Sequence, residues 1–329
     1  MRIELNDINY ALRTDPRGFV KRCDNLYDNR VDKAAETVAN RLKHSQVALL
    51  AGPSSSGKTT TASRIKKALE TRGIYAHMIS LDDYYRSKSE PDFPRTKDGE
   101  LDLEAPEGLD TALLGRHLEA LDKGEEIVVP YFDFKLQAQV PEKFRRLRLR
   151  ENEVVIFEGI HGLNPMLTDR NPEATRLFVS TASSIYDNDV EVFDRVWMRV
   201  LRRIVRDFNF RSASAEETLG MWRNVRLGEK KYITPFKSSA HYAIDSSLGY
   251  EVAAFRPIAE PMLIEAEEHP QPKLVDLILE GQLRRDHSRL LFSFQMLLSN
   301  FFSLDCANRL EKIFVTPAQI FFISSVGSR

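Results

Sequence analysis

Cysteine is nearly missing from this 329-residue chain: Cys23 and Cys306 are too few for a disulfide framework and lie in no metal-ligand spacing. Reduced thiols in a cytosolic protein are therefore expected. No apolar run reaches the roughly 20 residues that a bilayer-spanning helix needs. The stretch Met1-Arg2-Ile3-Glu4-Leu5-Asn6-Asp7 carries acids where a secretion signal would have an apolar core. The expectation is a cytoplasmic location with no membrane partner. A net surplus of either charge is missing too. With 47 basic and 48 acidic residues the formal net charge is −1, so no global field attracts nucleic acid. The seven histidines show no metal-ligand spacing, and there is neither an internal repeat nor a low-complexity tract.

The hydrophobic content of 42% fills a substantial core, enough for one large α/β domain or two smaller ones. Residues 1–44 read as a helical arm: Asp15-Pro16 is an N-cap with proline at the first helical position, and Val31, Ala34, Ala35, Val38 and Leu42 recur at three and four. A core over 45–256 then alternates between the two periods. Strands are predicted up to Ala51, over Ile74–Ser80, at Ile127–Val129, at Val154–Phe157 and at Arg176–Ser180. Helices are predicted up to about Thr71, over Leu109–Asp122 and from about Val192 to Phe208. Such alternation implies parallel strands joined by crossover helices, a doubly wound sheet whose ligands sit at the carboxyl ends of the strands. Residues 257–329 read as a mostly helical extension ending in the apolar run Ile320-Phe321-Phe322-Ile323, a packed strand or an interface.

One motif is decisive. Gly52-Pro53-Ser54-Ser55-Ser56-Gly57-Lys58-Thr59 lies between the apolar strand Val47–Ala51 and a helical pattern that opens just after Thr59. Backbone N–H groups of such a glycine-bearing turn, continued by a helix N-terminus, make a concave anion site. Lys58 is placed to reach β- and γ-phosphates, and the Thr59 hydroxyl to ligate Mg²⁺. ATP and Mg²⁺ are thus the expected cofactors, held by Gly52, Ser54, Ser55, Ser56, Gly57, Lys58, Thr59 and Thr60.

Acids stand where the other strands end. Ser80-Leu81-Asp82-Asp83-Tyr84-Tyr85 puts a carboxylate at the sheet mouth beside the loop, either as a base for an acceptor hydroxyl or as a turn cap. Glu158, closing the buried strand Val154–Phe157, is the candidate second Mg²⁺-associated acid, and Gly159 allows close backbone approach. On the helix near Val192, Phe193, Val196, Trp197, Val200, Leu201, Ile204 and Phe208 make an apolar face. Arg195, Arg199, Arg202 and Arg206 make one stripe, which serves either polyphosphate or solvent. The polar stretch after it, with Arg211, suggests a lid near 207–216 that brings charge over the nucleotide. The alternation of Phe144 to Arg150 fits a strand with one solvated face better than a nucleic-acid patch. His161 is the one histidine near the predicted active edge.

These segments resemble the uridine kinase and phosphoribulokinase family of P-loop kinases over about residues 47–255, in particular the bacterial uridine kinase-like nucleoside kinases. The resemblance rests on the phosphate loop, Ser80–Tyr85, Glu158-Gly159-Ile160-His161-Gly162-Leu163-Asn164-Pro165, Leu201–Asp207 and Trp222–Glu229. It is to a short form, without the N-terminal synthetase-like domain of longer relatives. The resemblance implies a nucleoside monophosphate kinase-like sheet with a lid, and transfer of a γ-phosphate to a hydroxyl, in uridine kinases the ribose 5′-OH. It implies Asp82 as base and Thr59 and Glu158 at the metal. Arg199 and Arg202 would face acceptor and phosphate, Arg206 and Arg211 the nucleotide, and Glu104 the ribose diol, where a carboxylate can accept two hydroxyl protons. Tyr84, Phe132, Phe134 and Glu217 fall in the acceptor pocket. The chain departs from the pattern there: Phe132 replaces a tyrosine, Gln137 stands about where a histidine does, Glu217 replaces a glutamine, and Arg211-Ser212 replaces arginine-glycine. Acceptor identity thus stays open between a nucleoside and another polyol. A nucleotide-binding regulator is the alternative from another class, and a GTPase switch is disfavoured because no Asn-Lys-x-Asp motif follows a late strand. Assembly into a homo-oligomer is a further expectation by analogy. The geometric expectation is that Lys58, Asp82 and Glu158 converge around one magnesium triphosphate.

Overall fold

Val47–Ala51 is buried at every position and Glu153–Glu158 at all but its first, as a strand covered on both faces requires. The computed structural model describes residues 2–97, 99–133 and 136–268. Its central sheet has five parallel strands: β1 (Val47–Ala51), β2 (Tyr75–Ser80), β3 (Glu153–Glu158), β4 (Thr175–Ser180) and β5 (Tyr242–Asp245) in the order β5-β4-β1-β3-β2. Alternate residues feed two cores. Ala48, Leu50, Val154, Ile156, Leu177 and Val179 face one side, with α1 (Leu5–Thr14), α2 (Pro16–Arg41), α3 (Lys58–Glu70), α5 (Arg195–Arg211) and α7 (Glu251–Glu268). Val47, Leu49, Val155, Phe157 and Phe178 face the other, with α4 (Thr111–Asp122). This is the doubly wound P-loop sheet that the sequence predicts.

Register decides where function can lie. Leu50 and Ser80 both pair with Glu158, so the carboxyl ends of β1, β3 and β2 are level. The loop after β1, the acids after β2 and the acid closing β3 therefore share one edge.

Several expectations need correction. Arg2–Glu4 is not helical but a short strand, pairing in parallel with Ser184–Asp187, which in turn pairs antiparallel with Val190–Phe193. The helix predicted from Val192 accordingly begins at Arg195, where the Asp194 side chain accepts the Val196 N–H at 2.5 Å. Its end also differs: α5 runs through Arg211, where the amides of Ser212 and Ala213 turn back to the Asp207 carbonyl. Helix α6 (Ala215–Tyr232) opens at once on a capping box between Ser214 and Glu217. The predicted polar lid loop is thus the tight tip of a helical hairpin. Phe208 is 53% exposed, and Met198, Val200, Leu201, Ile204 and Val205 are the buried apolar residues of α5. Arg145–Leu147 forms a ribbon with Ile127–Val129, its leucine buried and its arginines outward. The arm seats α2 on α3 and the sheet edge through Tyr27 Oη to Thr61 Oγ1 (2.6 Å) and Arg30 to the Asp245 carbonyl (2.9 Å). The part of the helical extension expected beyond residue 268, with its apolar run, lies outside the described residues.

Candidate active site

The phosphate loop is shaped by two glycines. Gly57 has φ +84°, a left-handed conformation that side-chain-bearing residues adopt at a cost. A Cβ on Gly52 would stand 2.1 Å from the Val179 carbonyl oxygen, so the loop can cross β4 only without a side chain. Helix α3 starts at Lys58, directing its first amides into the turn. Three hydroxyls around the cradle, those of Ser55, Ser56 and Thr60, are buried without a hydrogen-bond partner. Lys58 Nζ arches over the loop to the Pro53 carbonyl (3.2 Å), and Thr59 Oγ1 donates to Glu158 Oε1 at 2.8 Å.

Lys58, Asp82 and Glu158 do converge. Burial lowers the Lys58 pKa, opposed by the carboxylates of Glu158, Asp82 and Glu104, while burial raises those of Asp82 and Glu158, opposed chiefly by Lys58. A carboxylate of raised pKa is a stronger base than a free aspartate. The two aspartates differ in surroundings: Asp83, pushed up to about 6 by burial, lies 3.5 Å from the Phe132 amide, while Asp82 lies in the field of Lys58, Arg211 and Arg206. Arg206 and Arg211 thus approach the site from the hairpin, both anchored by the buried Asp207.

The remaining arginines are placed otherwise than a stripe facing phosphate. Arg199 is buried, pairs with Glu229 at 2.6 Å and reaches the loop through the Ser54 carbonyl at 3.3 Å. Arg202 makes two bonds to Glu251 (2.6 and 2.8 Å) and approaches the Ser55 carbonyl at 3.4 Å. Both brace the loop through its carbonyls, whereas an anion would meet its N–H groups. Arg203, which no sequence assignment included, donates from Nη1 to Ser54 Oγ (2.8 Å), pairs with Asp207 (3.3 Å) and stabilises the charge of Glu104. Its signal was the four-residue step from Arg199.

Glu104 is partly buried and its Oε2 lacks a partner; burial raises its pKa to about 7 despite Arg203 and Lys58. Its backbone amide is fixed by Asp102 Oδ1 (3.1 Å), and Gly228 of α6 packs so closely that a Cβ there would stand 2.3 Å from Glu104 Cβ. Tyr84 turns away from the site: it is fully buried in the core, its hydroxyl 2.8 Å from His117 Nδ1. The tyrosine exposed to the field of Asp82 and Glu104 is Tyr85, stacked at a tilt 6.0 Å from Phe132 with its hydroxyl on the Leu103 carbonyl (3.2 Å). Glu217 is exposed and its carboxylate caps α6 at the Ser214 amide (2.8 Å), a position outside the acid cluster. Phe134 lies outside the described residues.

A model of the phosphoribulokinase / uridine kinase family matches residues 47–252, more than half of the chain. The chain belongs to this family. It is 28% identical over 205 residues to a uridine kinase of Staphylococcus haemolyticus, covering 62% of this chain and 89% of that one. It is 30% identical over 206 residues to the uridine kinase of Brevibacillus brevis, covering 62% and 86%. Among solved structures, a D-glycerate 3-kinase from Cryptococcus neoformans aligns with a TM-score of 0.45 at 16% identity, covering 66% of this chain and 97% of that one. Family membership makes the protein a P-loop phosphotransferase that acts on a small-molecule hydroxyl. Among the described residues no helix is long and apolar enough to cross a membrane.

Proposed function

We propose that the protein is an ATP- and Mg²⁺-dependent kinase of the uridine kinase type, transferring the γ-phosphoryl group to the ribose 5′-OH of a nucleoside or to the equivalent hydroxyl of another polyol. The observation that carries this reading is the convergence of Lys58, Asp82 and Glu158 on one edge of the sheet, with Glu104 beside them. Asp82 accepts the proton of the acceptor hydroxyl while that oxygen attacks the γ-phosphorus and the bond to the ADP oxygen breaks. Lys58 neutralises charge on the phosphoryl oxygens. The empty-sided glycine cradle, the orphaned hydroxyls and the Thr59–Glu158 pair suit a magnesium triphosphate. Thr59 and Glu158 would hold the metal, and its chemistry is to offset negative charge on the β- and γ-phosphates. Among the described residues no group of three or more His, Cys, Asp or Glu side chains forms a cage, in keeping with an ion held largely by phosphate and water.

The replacement at Phe132, which packs against Tyr85, favours keeping other polyols in view. The test is turnover with MgATP against nucleosides, sugars and sugar phosphates. Asp82→Asn is expected to lower kcat by about 10²- to 10⁴-fold with ATP affinity retained, and Lys58→Ala by about 10²-fold or more. Nucleotide binding without ADP release on any acceptor would instead support a regulator, and unchanged turnover in Asp82→Asn would remove Asp82 as the base.

A further inference from the structure

The turn after β3 carries a side chain that the reaction above does not use. His161 follows Glu158 by three residues, and its position is tightly prescribed: its carbonyl accepts the Asn164 amide (2.9 Å), and a Cβ on the next residue, Gly162, would stand 3.0 Å from the backbone of β1. The residue is 1% exposed and both ring nitrogens are buried; neither makes a hydrogen bond of good geometry, and one of them leans toward the Glu104 main chain. The ring meets Tyr232 edge-on at 6.3 Å, lies against the main chain of Glu104 and feels the Lys58 charge. It therefore sits where the acceptor acid and the phosphate-binding lysine approach each other.

Leaving a ring nitrogen without a full hydrogen bond costs free energy that a core phenylalanine or leucine would not. A buried imidazole placed between Glu104 and Lys58 is explained if the substrate supplies the missing partner. Burial and Lys58 push its pKa down to about 3, so at neutral pH it offers one donor and one acceptor and no charge. The surrounding charges select further. Asp82, Asp102 and Glu104 gather on this side, while Arg199 is paired with Glu229, Arg202 with Glu251, and Arg203, Arg206 and Arg211 all converge on Asp207. A phosphorylated or carboxylate-bearing acceptor would meet carboxylates first.

Building on the kinase reading above, we propose that His161 is an acceptor-binding residue whose uncharged imidazole hydrogen-bonds a hydroxyl of an uncharged polyhydroxylated acceptor, a nucleoside sugar or a free polyol. It selects that class over sugar phosphates and hydroxy acids.

The experiment is calorimetric titration of uridine, ribose, ribose 5-phosphate and glycerate into the full chain with Mg²⁺ and a non-hydrolysable ATP analogue, alongside separate turnover assays with MgATP. The variants are His161→Phe, which keeps an aromatic ring without nitrogens, and His161→Asn, which keeps a donor and an acceptor. His161→Phe is expected to raise the Kd of the uncharged acceptor about 10- to 100-fold, with analogue affinity within about twofold of wild type and an unfolding temperature no lower. His161→Asn is expected to recover part of the loss. An unchanged acceptor Kd in His161→Phe overturns the proposal and leaves the kinase reading intact. So does an equal loss of analogue affinity, which would make His161 a support of the phosphate loop. Binding of ribose 5-phosphate or glycerate in preference to the uncharged compounds overturns the selectivity. If wild type binds uridine or ribose but transfers no phosphate, the kinase reading falls while the variants still judge His161. If wild type binds none of the four, both fall.

Discussion

Replacing Glu104 with glutamine separates what this carboxylate does for substrate from what it costs the fold. Glutamine keeps the size and one acceptor oxygen of the protonated acid but cannot ionise. In the folded protein the carboxyl, ordinarily near 4.5, is pushed up to about 7, with burial outweighing Arg203 and Lys58. The unfolded chain therefore releases this proton near pH 4.5 and the folded chain near pH 7. Between the two the folded state holds more protons, so stability from this group is fully present below about pH 4.5 and declines as pH rises, levelling above about pH 7. At about 1.4 kcal/mol per pH unit, the gap is on the order of 3 kcal/mol. Thermal unfolding of wild type and Glu104→Gln at pH 5, 6.5 and 8 should show nearly equal stability at pH 5. At pH 8 the variant should be more stable, by several degrees in Tm. Acceptor affinity should move the opposite way: if Glu104 accepts two hydroxyl protons, wild type gains affinity from pH 6 to pH 8. Glu104→Gln should lose about 10-fold or more and show no such rise. A stability difference identical at pH 5 and pH 8 would refute the reasoning, since it would mean that the carboxyl does not ionise within the fold.

Gly52→Ala would drive a methyl group to 2.1 Å from the Val179 carbonyl of the central sheet, an atom that cannot yield cheaply. A loss of a few kcal/mol in denaturant unfolding and at least about 10-fold in ATP affinity is expected, and wild-type values for both would show that the loop does not need this close approach. Tyr84→Phe removes a buried hydrogen bond to His117 and is expected to cost about 1–2 kcal/mol while acceptor KM stays unchanged. A tenfold rise in that KM would return Tyr84 to the acceptor pocket.

The sheet and the phosphate loop were legible because their signals are local. β1 and β3 are continuous apolar runs, and the loop's glycines sit at fixed offsets between strand and helix. Strand register then brings Asp82 and Glu158 beside the loop by geometry alone. What the sequence hid depends on contacts between distant segments. β5 has a single buried residue, Ile244, so its four residues carry no readable alternation, and its place at the sheet edge is decided by pairing with β4. Arg199, Arg202 and Arg203 look alike as a helical row, yet Glu229 and Glu251, which fix two of them, come 30 and 49 residues later. Tyr84 and Tyr85 are neighbours with opposite fates, and only the packing of His117 on one and Phe132 on the other distinguishes them. Gly228 gave no hint of its closeness to Glu104, because a glycine inside a helix signals a tight approach without naming what approaches.

The pair α5–α6 touches both halves of the site. Arg199 near its start meets Ser54 of the loop, its salt-bridge partner Glu229 lies in α6, and the residue preceding Glu229 is the glycine on which Glu104 rests. On the proposed reading, a movement of this pair that tightens one end would shift the other, giving the nucleotide and acceptor sites a coupling free energy. By thermodynamic linkage, whatever factor the first ligand lends to the affinity of the second is returned unchanged when the order of binding is reversed.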